Sequence, residues 1–211
     1  MKAAEADFLG AASRYAALRK DTLARVARWE WSSSLPRYDL QPLAFLNDTS
    51  RRGKASRTVP KKRENKHEYG FDEAGRVIAQ RQHTEFADEY YEEFLEYTPD
   101  LIRSTYYHHG RDKKPINCAR LSRINGVPSA FHRQATGGSS SEVYIIEGGH
   151  VRYNAWLARP GHRAPWGACG EVLFKPDNTV ELWQFPSAGS PILVFAGDAS
   201  LYDTMQIGRG A

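Results

Sequence analysis

Carboxylates and aromatic rings alternate along residues 85–97, which read EFADEYYEEFLEY and form the strongest candidate for a functional surface. If this segment is a strand, side chains two residues apart share one face. Carboxylates around aromatic anchors suit a cationic partner protein, because the charges steer association and the rings provide most of the binding energy. The predicted partner-binding residues are Tyr90, Glu92, Glu93, Phe94 and Glu96. The alternative is a solvated polar face that covers a stripe of core residues.

His108 and His109, with Cys118 nearby, are the residues that could support metal or nuclease chemistry. Adjacent side chains on a strand point to opposite faces, so the two imidazoles cannot bind one ion without a bulge. The chain also has no Cys-x-x-Cys pair, no Gly-x-Ser-x-Gly elbow and no P-loop. The sequence therefore predicts no catalytic residue, no metal ligand and no cofactor, and we expect a protein without enzymatic activity.

The net charge of +4 conceals two segments of opposite sign. Residues 51–66 contain eight Lys and Arg residues and one Glu, whereas residues 85–100 contain seven acidic and no basic residues. The basic run lacks interleaved aromatic residues, so we interpret residues 50–66 as a mobile loop or a partly disordered segment and consider nucleic acid an unlikely partner. Two alternatives stay open. One is a nucleic-acid-acting enzyme, a nuclease-like toxin with His108 or His109 as general base. The other is a nucleic-acid-binding module that uses the basic run.

An amphipathic helix is predicted at the N-terminus. Apolar residues recur at three- and four-residue spacing along residues 3–30, as they do on one face of a helix. The stripe consists of Phe8, Ala12, Tyr15, Leu18, Thr22, Val26 and Trp29. Pro36 ends this element, because proline cannot continue a helix. We therefore divide the chain into an N-terminal helical segment (1–35), a basic connecting loop (36–68) and an antiparallel β-hairpin repeat domain (69–211).

After residue 68 the pattern changes to short β-rich segments separated by turn formers. Hairpin turns are predicted near residues 72–76, 98–101, 125–126, 147–150 and 175–179. The Asn125-Gly126 turn is the strongest signal, because both positions tolerate the positive φ that two-residue hairpins require. This spacing predicts a mainly β fold with an N-terminal helix, in which about ten strands form an antiparallel meander of stacked hairpins.

Three segments have less regular patterns. A helix is the alternative to a strand over residues 86–97, because aromatic residues there also recur at four- and three-residue spacing. The Gly- and Ser-rich residues 137–141 (GGSSS) predict a flexible loop. Residues 192–195 (ILVF) predict a short buried strand, and we expect a loop from Gly197 to the end.

Residues 69–77 (YGFDEAGRV) resemble the tyrosine-aspartate, or Rhs-type, YD repeat, whose pattern is Y-x-Y/F-D-x-x-G-R followed by an apolar residue. Looser copies, which keep an aromatic or apolar residue, a turn and a β-branched residue, continue to residue 185. Members of this family form long sheets of stacked hairpins. Small bacterial proteins with degenerate repeats are similar to the immunity partners of polymorphic toxins. The resemblance therefore implies an immunity protein (antitoxin) that binds and blocks a cognate toxin protein in a 1:1 complex.

The composition predicts a cytoplasmic protein without a membrane span. No segment approaches the apolar length of a transmembrane helix, and Glu5 and Asp7 interrupt the N-terminal residues where a signal peptide would be apolar. We expect Cys118 and Cys169 to be reduced thiols, since disulfides are rare in reducing compartments.

Overall fold

One long antiparallel sheet organises the protein, and an N-terminal helix packs across part of it. The computed structural model describes residues 2–33, 36–44, 53–86, 89–110, 113–161, 166–186 and 189–198. Helix α1 spans Lys2–Leu23. In chain order the strands are β1 (Arg28–Ser32), β2 (Ala55–Ser56), β3 (His67–Phe71), β4 (Val77–His83), β5 (Tyr90–Tyr97), β6 (Leu101–His108), β7 (Pro115–Ile124), β8 (Val127–Ala135), β9 (Gly138–Glu147), β10 (His150–Ala158), β11 (Trp166–Phe174), β12 (Thr179–Phe185) and β13 (Ile192–Asp198).

The order of the strands in the sheet follows the order of the chain. Each strand from β4 to β12 pairs with the strands before and after it, and β1 lies between β3 and β2 at one edge. All pairs are antiparallel. The predicted fold class, mainly β with an N-terminal helix and an open antiparallel meander, is confirmed. The described residues form thirteen strands, because β1 and β2 arise where the sequence pattern predicts a helical segment and a loop.

Each of the five predicted hairpin turns connects two strands. At the strongest of them, Asn125 and Gly126 have φ of 53° and 81°, the left-handed values that a two-residue turn between right-twisted strands needs. In the YD-like segment Asp72 accepts hydrogen bonds from both the backbone and the side chain of Arg76, which closes the turn between β3 and β4. The helical alternative for residues 86–97 is wrong, because Tyr90–Tyr97 is strand β5.

The predicted helix is longer than the observed one. Helix α1 ends at Leu23, so Val26 and Trp29 of the apolar stripe do not lie on it. Trp29 belongs to β1, where it pairs with Gly70 of β3. A Cβ atom at Gly70 would come within 3.1 Å of the Trp29 ring, so the glycine makes room for the indole. Packing against this edge of the sheet overrides the helical spacing of residues 24–30.

Two further predictions, one of a loop and one of burial, are wrong, although residues 192–195 do form a strand. Residues 138–141 of the predicted flexible loop belong to β9, whose backbone pairs with β8 and β10 on both sides. This pairing compensates for the low strand propensity of glycine and serine. Residues 192–195 are not buried: β13 continues to Asp198, is an edge strand, and leaves Ile192 56% exposed. Residues 50–52 of the predicted mobile loop and residues 199–211 of the predicted C-terminal loop lie outside the described residues.

The two faces of the sheet carry separate apolar clusters. We call the face against α1 the helix face and the opposite one the inner face. The helix-face cluster consists of Ala11, Tyr15, Ala79, Phe94, Tyr107 and Cys118. The larger inner-face cluster includes Leu40, Leu43, Tyr69, Phe71, Val77, Leu95, Leu121, Phe131, Tyr144, Val151, Tyr153, Val172, Val180 and Leu182. Burying each large side chain contributes about 1.5–3 kcal/mol, so the inner face contains most of the hydrophobic stabilisation.

Helix α1 covers only part of the helix face. It packs mainly against β4, β5, β7 and β8. The helix face of β9 to β13 lies beyond this contact. Among the residues that the structure describes, no helix is both long enough and apolar enough to cross a membrane.

Candidate partner-binding surface

The predicted binding residues of β5 divide between the two faces as the strand period requires. Tyr90, Glu92, Phe94 and Glu96 lie on the helix face, and Glu93 lies on the inner face. Glu92 and Phe94 are buried, with 0% and 1% of their surfaces exposed. The residue pattern predicts that they belong to an accessible surface, but α1 covers them. They cannot touch a partner while the helix is in place.

Glu92 is a buried carboxylate held by groups from two elements. Arg19 Nε of α1 donates to Glu92 Oε2 at 2.9 Å, and Arg81 Nε of β4 donates to Oε1 at 2.8 Å. The Tyr15 hydroxyl of α1 donates to Oε2 at 3.2 Å. A buried carboxylate is tolerated only when it is paired and hydrogen-bonded, and these three donors meet that need. Glu92 therefore joins the helix to the sheet.

His109 extends this network towards solvent. Its imidazole stacks on the Tyr90 ring with centroids 4.2 Å apart, and its Nδ1 contacts the Tyr15 hydroxyl at 2.5 Å. Burial lowers the pKa of His109, which favours the neutral imidazole near pH 7. Burial and the negative charge of Glu92 raise the pKa of Tyr15. His108 lies on the opposite face, edge-on to Tyr91, as predicted for adjacent residues of a strand.

A second carboxylate, Glu68 of β3, lies on the other side of Arg81. His83 Nε2 is 3.2 Å and Arg81 Nη1 is 3.4 Å from Glu68 Oε2. Burial opposes ionisation of Glu68, but the bond from His83 and the charge of Arg81 outweigh it and hold the pKa of Glu68 below its ordinary value. The described residues contain no group of three or more His, Cys, Asp or Glu side chains that could hold a metal ion. Both cysteines are free thiols.

Glu93 has a different environment on the inner face. Its carboxyl group accepts hydrogen bonds from the Ser104 hydroxyl and the Gln80 amide, both neutral groups. Burial raises the pKa of Glu93 to about 7. Glu93 also lines a cavity of about 340 Å³ between the sheet and residues 36–39. Only Tyr90 and Glu96 of the five predicted residues are therefore half-buried at the flank of α1, and a role for them in binding stays a prediction.

An apolar surface that was not predicted from the sequence lies on the uncovered part of the helix face. We call Val143, Ile145, Trp156 and Leu193 the outer patch, and between 41% and 49% of each side chain is exposed. The sequence contains a pattern that indicates this surface, because residues 143–146 (VYII) are apolar at every position, whereas a strand with one solvated face is apolar at every second position. Tyr144 and Ile146 enter the inner-face cluster, which leaves Val143 and Ile145 on the outside.

A groove of about 520 Å³ opens beside the outer patch. Trp156 of β10 lies on one side, and Phe185 of β12 with Pro186 lies on the other. Gly167 and Cys169 of β11 lie between them, and the Cys169 thiol donates to the Phe185 carbonyl oxygen at 3.2 Å. A cleft with aromatic walls and a floor without a large side chain can accept an apolar side chain from another protein.

No protein-family model, curated protein or solved structure matches this chain. The function is therefore inferred from these surfaces and from the resemblance of residues 69–77 to the YD repeat.

Proposed function

We propose that the protein is a cytoplasmic, non-catalytic interaction protein, an immunity protein that binds and blocks a cognate bacterial toxin domain. The observation that carries the proposal is the outer patch with its groove. Exposed apolar side chains on one face of a sheet, here on β9, β10 and β13, beside an aromatic cleft are typical of protein interfaces. The YD-like segment supports the choice of an immunity protein among interaction proteins.

The burial of the charged network also favours binding over catalysis. A general base must reach the proton that it removes, and Glu92 has no exposed surface. His109 is engaged with Tyr15 and Tyr90, and its lowered pKa follows from burial. These groups are used to attach α1 to the sheet. We therefore propose that the protein has no turnover of its own.

The proposal is tested by replacing the central aromatic residue of the outer patch. Trp156→Ala should weaken binding to the cognate toxin by about 2–4 kcal/mol, which is about a 30- to 1,000-fold increase in Kd, because a buried anchor would be removed. Ile124→Ala is the matched control, since Ile124 is 66% exposed at the end of β7 and away from the patch. Calorimetry with the purified proteins measures both affinities.

A growth assay gives an independent readout. Cells that express the toxin should survive with the wild-type protein or Ile124→Ala and should lose protection with Trp156→Ala. If Trp156→Ala binds and protects like the wild type, the outer patch is not the contact surface. If the purified protein cleaves nucleic acid by itself and His109→Ala abolishes the cleavage, the enzyme alternative replaces this proposal.

A further inference from the structure

The inner face contains a polar cavity that the outer patch does not involve. Its volume is about 340 Å³, and strands β3 to β8 form its floor. The floor presents Gln80, Glu93, Tyr106, Asn117 and Arg133, while Tyr38 and Asp39 of residues 36–44 cover it. Most of the large side chains elsewhere on the inner face are apolar. A cavity with this many convergent polar groups is a candidate binding site.

The charges around the cavity are not balanced. Asp39 Oδ1 lies 3.6 Å from Arg133 Nη2, and this is the only ion pair of a cavity carboxylate among the described residues. Glu93 accepts hydrogen bonds from Ser104 and Gln80 and has no cationic partner there. Burial and the charge of Asp39 raise the pKa of Glu93 and outweigh the positive charge of Arg133, which forms its ion pair with Asp39 and not with Glu93.

We propose that this cavity binds a guanidinium or alkylammonium group, with Glu93 and Asp39 as its carboxylate partners. A guanidinium group presents parallel N–H donors that match a carboxylate, and it would give Glu93 the direct ion pair that the described residues do not provide. Tyr106 and the amides of Gln80 and Asn117 provide neutral hydrogen-bonding groups around the same space. The cation could be a free small molecule or an Arg or Lys side chain of a partner protein.

Binding at this site should depend on pH. The cation prefers ionised Glu93, so affinity should fall as the pH decreases from 8 to 6, approaching tenfold per pH unit below about 7. The titratable and charged residues that line the cavity or interact with Glu93 are Tyr38, Asp39, His67, Tyr69, Arg81, Tyr97, Tyr106 and Arg133. Protonation of His67 at low pH would also weaken cation binding. A His67→Gln variant is therefore needed to distinguish the effect of His67 from that of Glu93.

The experiment titrates the full chain with ethylguanidinium and follows binding by ligand-observed NMR, with neutral ethylurea as the matched control. The wild type should bind ethylguanidinium with a millimolar Kd, and Glu93→Gln should weaken binding at pH 8 at least about tenfold and remove the pH dependence. His67→Gln should retain that dependence. Absence of ethylguanidinium binding, equal binding of ethylurea, or unchanged binding by Glu93→Gln would each overturn the proposal.

A competition experiment identifies the source of the cation. If a partner protein supplies the group, saturating ethylguanidinium and Glu93→Gln should each weaken partner affinity. If a free small molecule is the ligand, partner affinity should not change although ethylguanidinium binds. This site lies on the face opposite the outer patch, so a negative result here leaves the Trp156→Ala test of the proposed function intact.

Discussion

Neighbouring glutamates on β5 have opposite electrostatic environments. Glu92 receives two guanidinium groups on the helix face, whereas Glu93 receives only neutral donors on the inner face. Burial raises the pKa of Glu93 to about 7 from its ordinary value of 4.5. The folded state therefore holds a proton at Glu93 that the unfolded state has released between these two pH values. The resulting contribution of Glu93 to stability must fall as the pH rises through this window.

Glu93→Gln should remove this loss of folding stability at rising pH. The amide cannot ionise, so the variant should gain stability relative to the wild type as the pH rises from about 4.5 to 7, by up to roughly 3 kcal/mol. Urea unfolding across this pH range measures the difference. Glu96→Gln is the control, because Glu96 lies on the same strand but is half-buried on the other face. Parallel pH profiles for Glu93→Gln and the wild type would contradict this assignment.

At the scale of elements, polar contacts and packing together position α1 on the sheet. Tyr15 packs edge-on against Tyr107 with ring centroids 4.8 Å apart, and Arg19 reaches the buried Glu92. Arg14 of the same helix lies 4.0 Å from Glu96, and both of these side chains are partly exposed. The two arginines thus offer a comparison between a buried and a surface ion pair on one helix.

Arg19→Ala should destabilise the fold more than Arg14→Ala. Loss of Arg19 leaves the buried Glu92 with one guanidinium partner and should cost about 1–3 kcal/mol, because a desolvated charge loses a hydrogen bond. Loss of Arg14 should cost less than about 1 kcal/mol, as is usual for surface pairs. Denaturant unfolding gives both values, and hydrogen exchange should show faster exchange in α1 for Arg19→Ala. Equal costs for the two variants would show that packing alone fixes the helix.

At the scale of the whole molecule, the basic run and the outer patch lie at opposite ends of the sheet. Lys61, Lys62 and Arg63 are exposed near the edge formed by β2, while the outer patch lies on β9, β10 and β13. Because the two surfaces are far apart, apolar binding through the outer patch and electrostatic binding through the basic run can be distinguished by their dependence on salt.

Binding of the proposed partner through the outer patch should survive an increase in ionic strength. We expect its Kd to change less than about tenfold between about 50 mM and 200 mM salt, since apolar contacts are not screened, whereas a protein that binds phosphates loses about 10³-fold or more. Fluorescence anisotropy measures the Kd for the partner and the Kd for a nucleic-acid duplex at each salt concentration. Changing Lys61, Lys62 and Arg63 together to Gln should leave partner affinity unchanged. A loss of partner binding in this variant would favour the basic run as the functional surface.

Local sequence determined the hairpins and their order. Gly75, Asn125 and Gly126 adopt positive φ angles that few other residues tolerate, and Asp72 closes its turn by accepting hydrogen bonds from Arg76. Strands joined by such short turns pair with their neighbours. The alternation on β5 likewise places Glu92 and Glu93 on opposite faces, because the strand period is fixed at two residues.

Tertiary structure decided which of these faces is accessible. Strand periodicity cannot show that α1 covers β5 and stops before β9, so it cannot show that Phe94 is buried while Trp156 is exposed. Residues 28–32 pair with β3 as strand β1, although the spacing of apolar residues in this region fits a helix. The polar cavity likewise exists only because residues 36–39 lie over β3 to β8. Burial depends on contacts between residues that are distant in the chain, whereas turns depend on the φ and ψ preferences of adjacent residues.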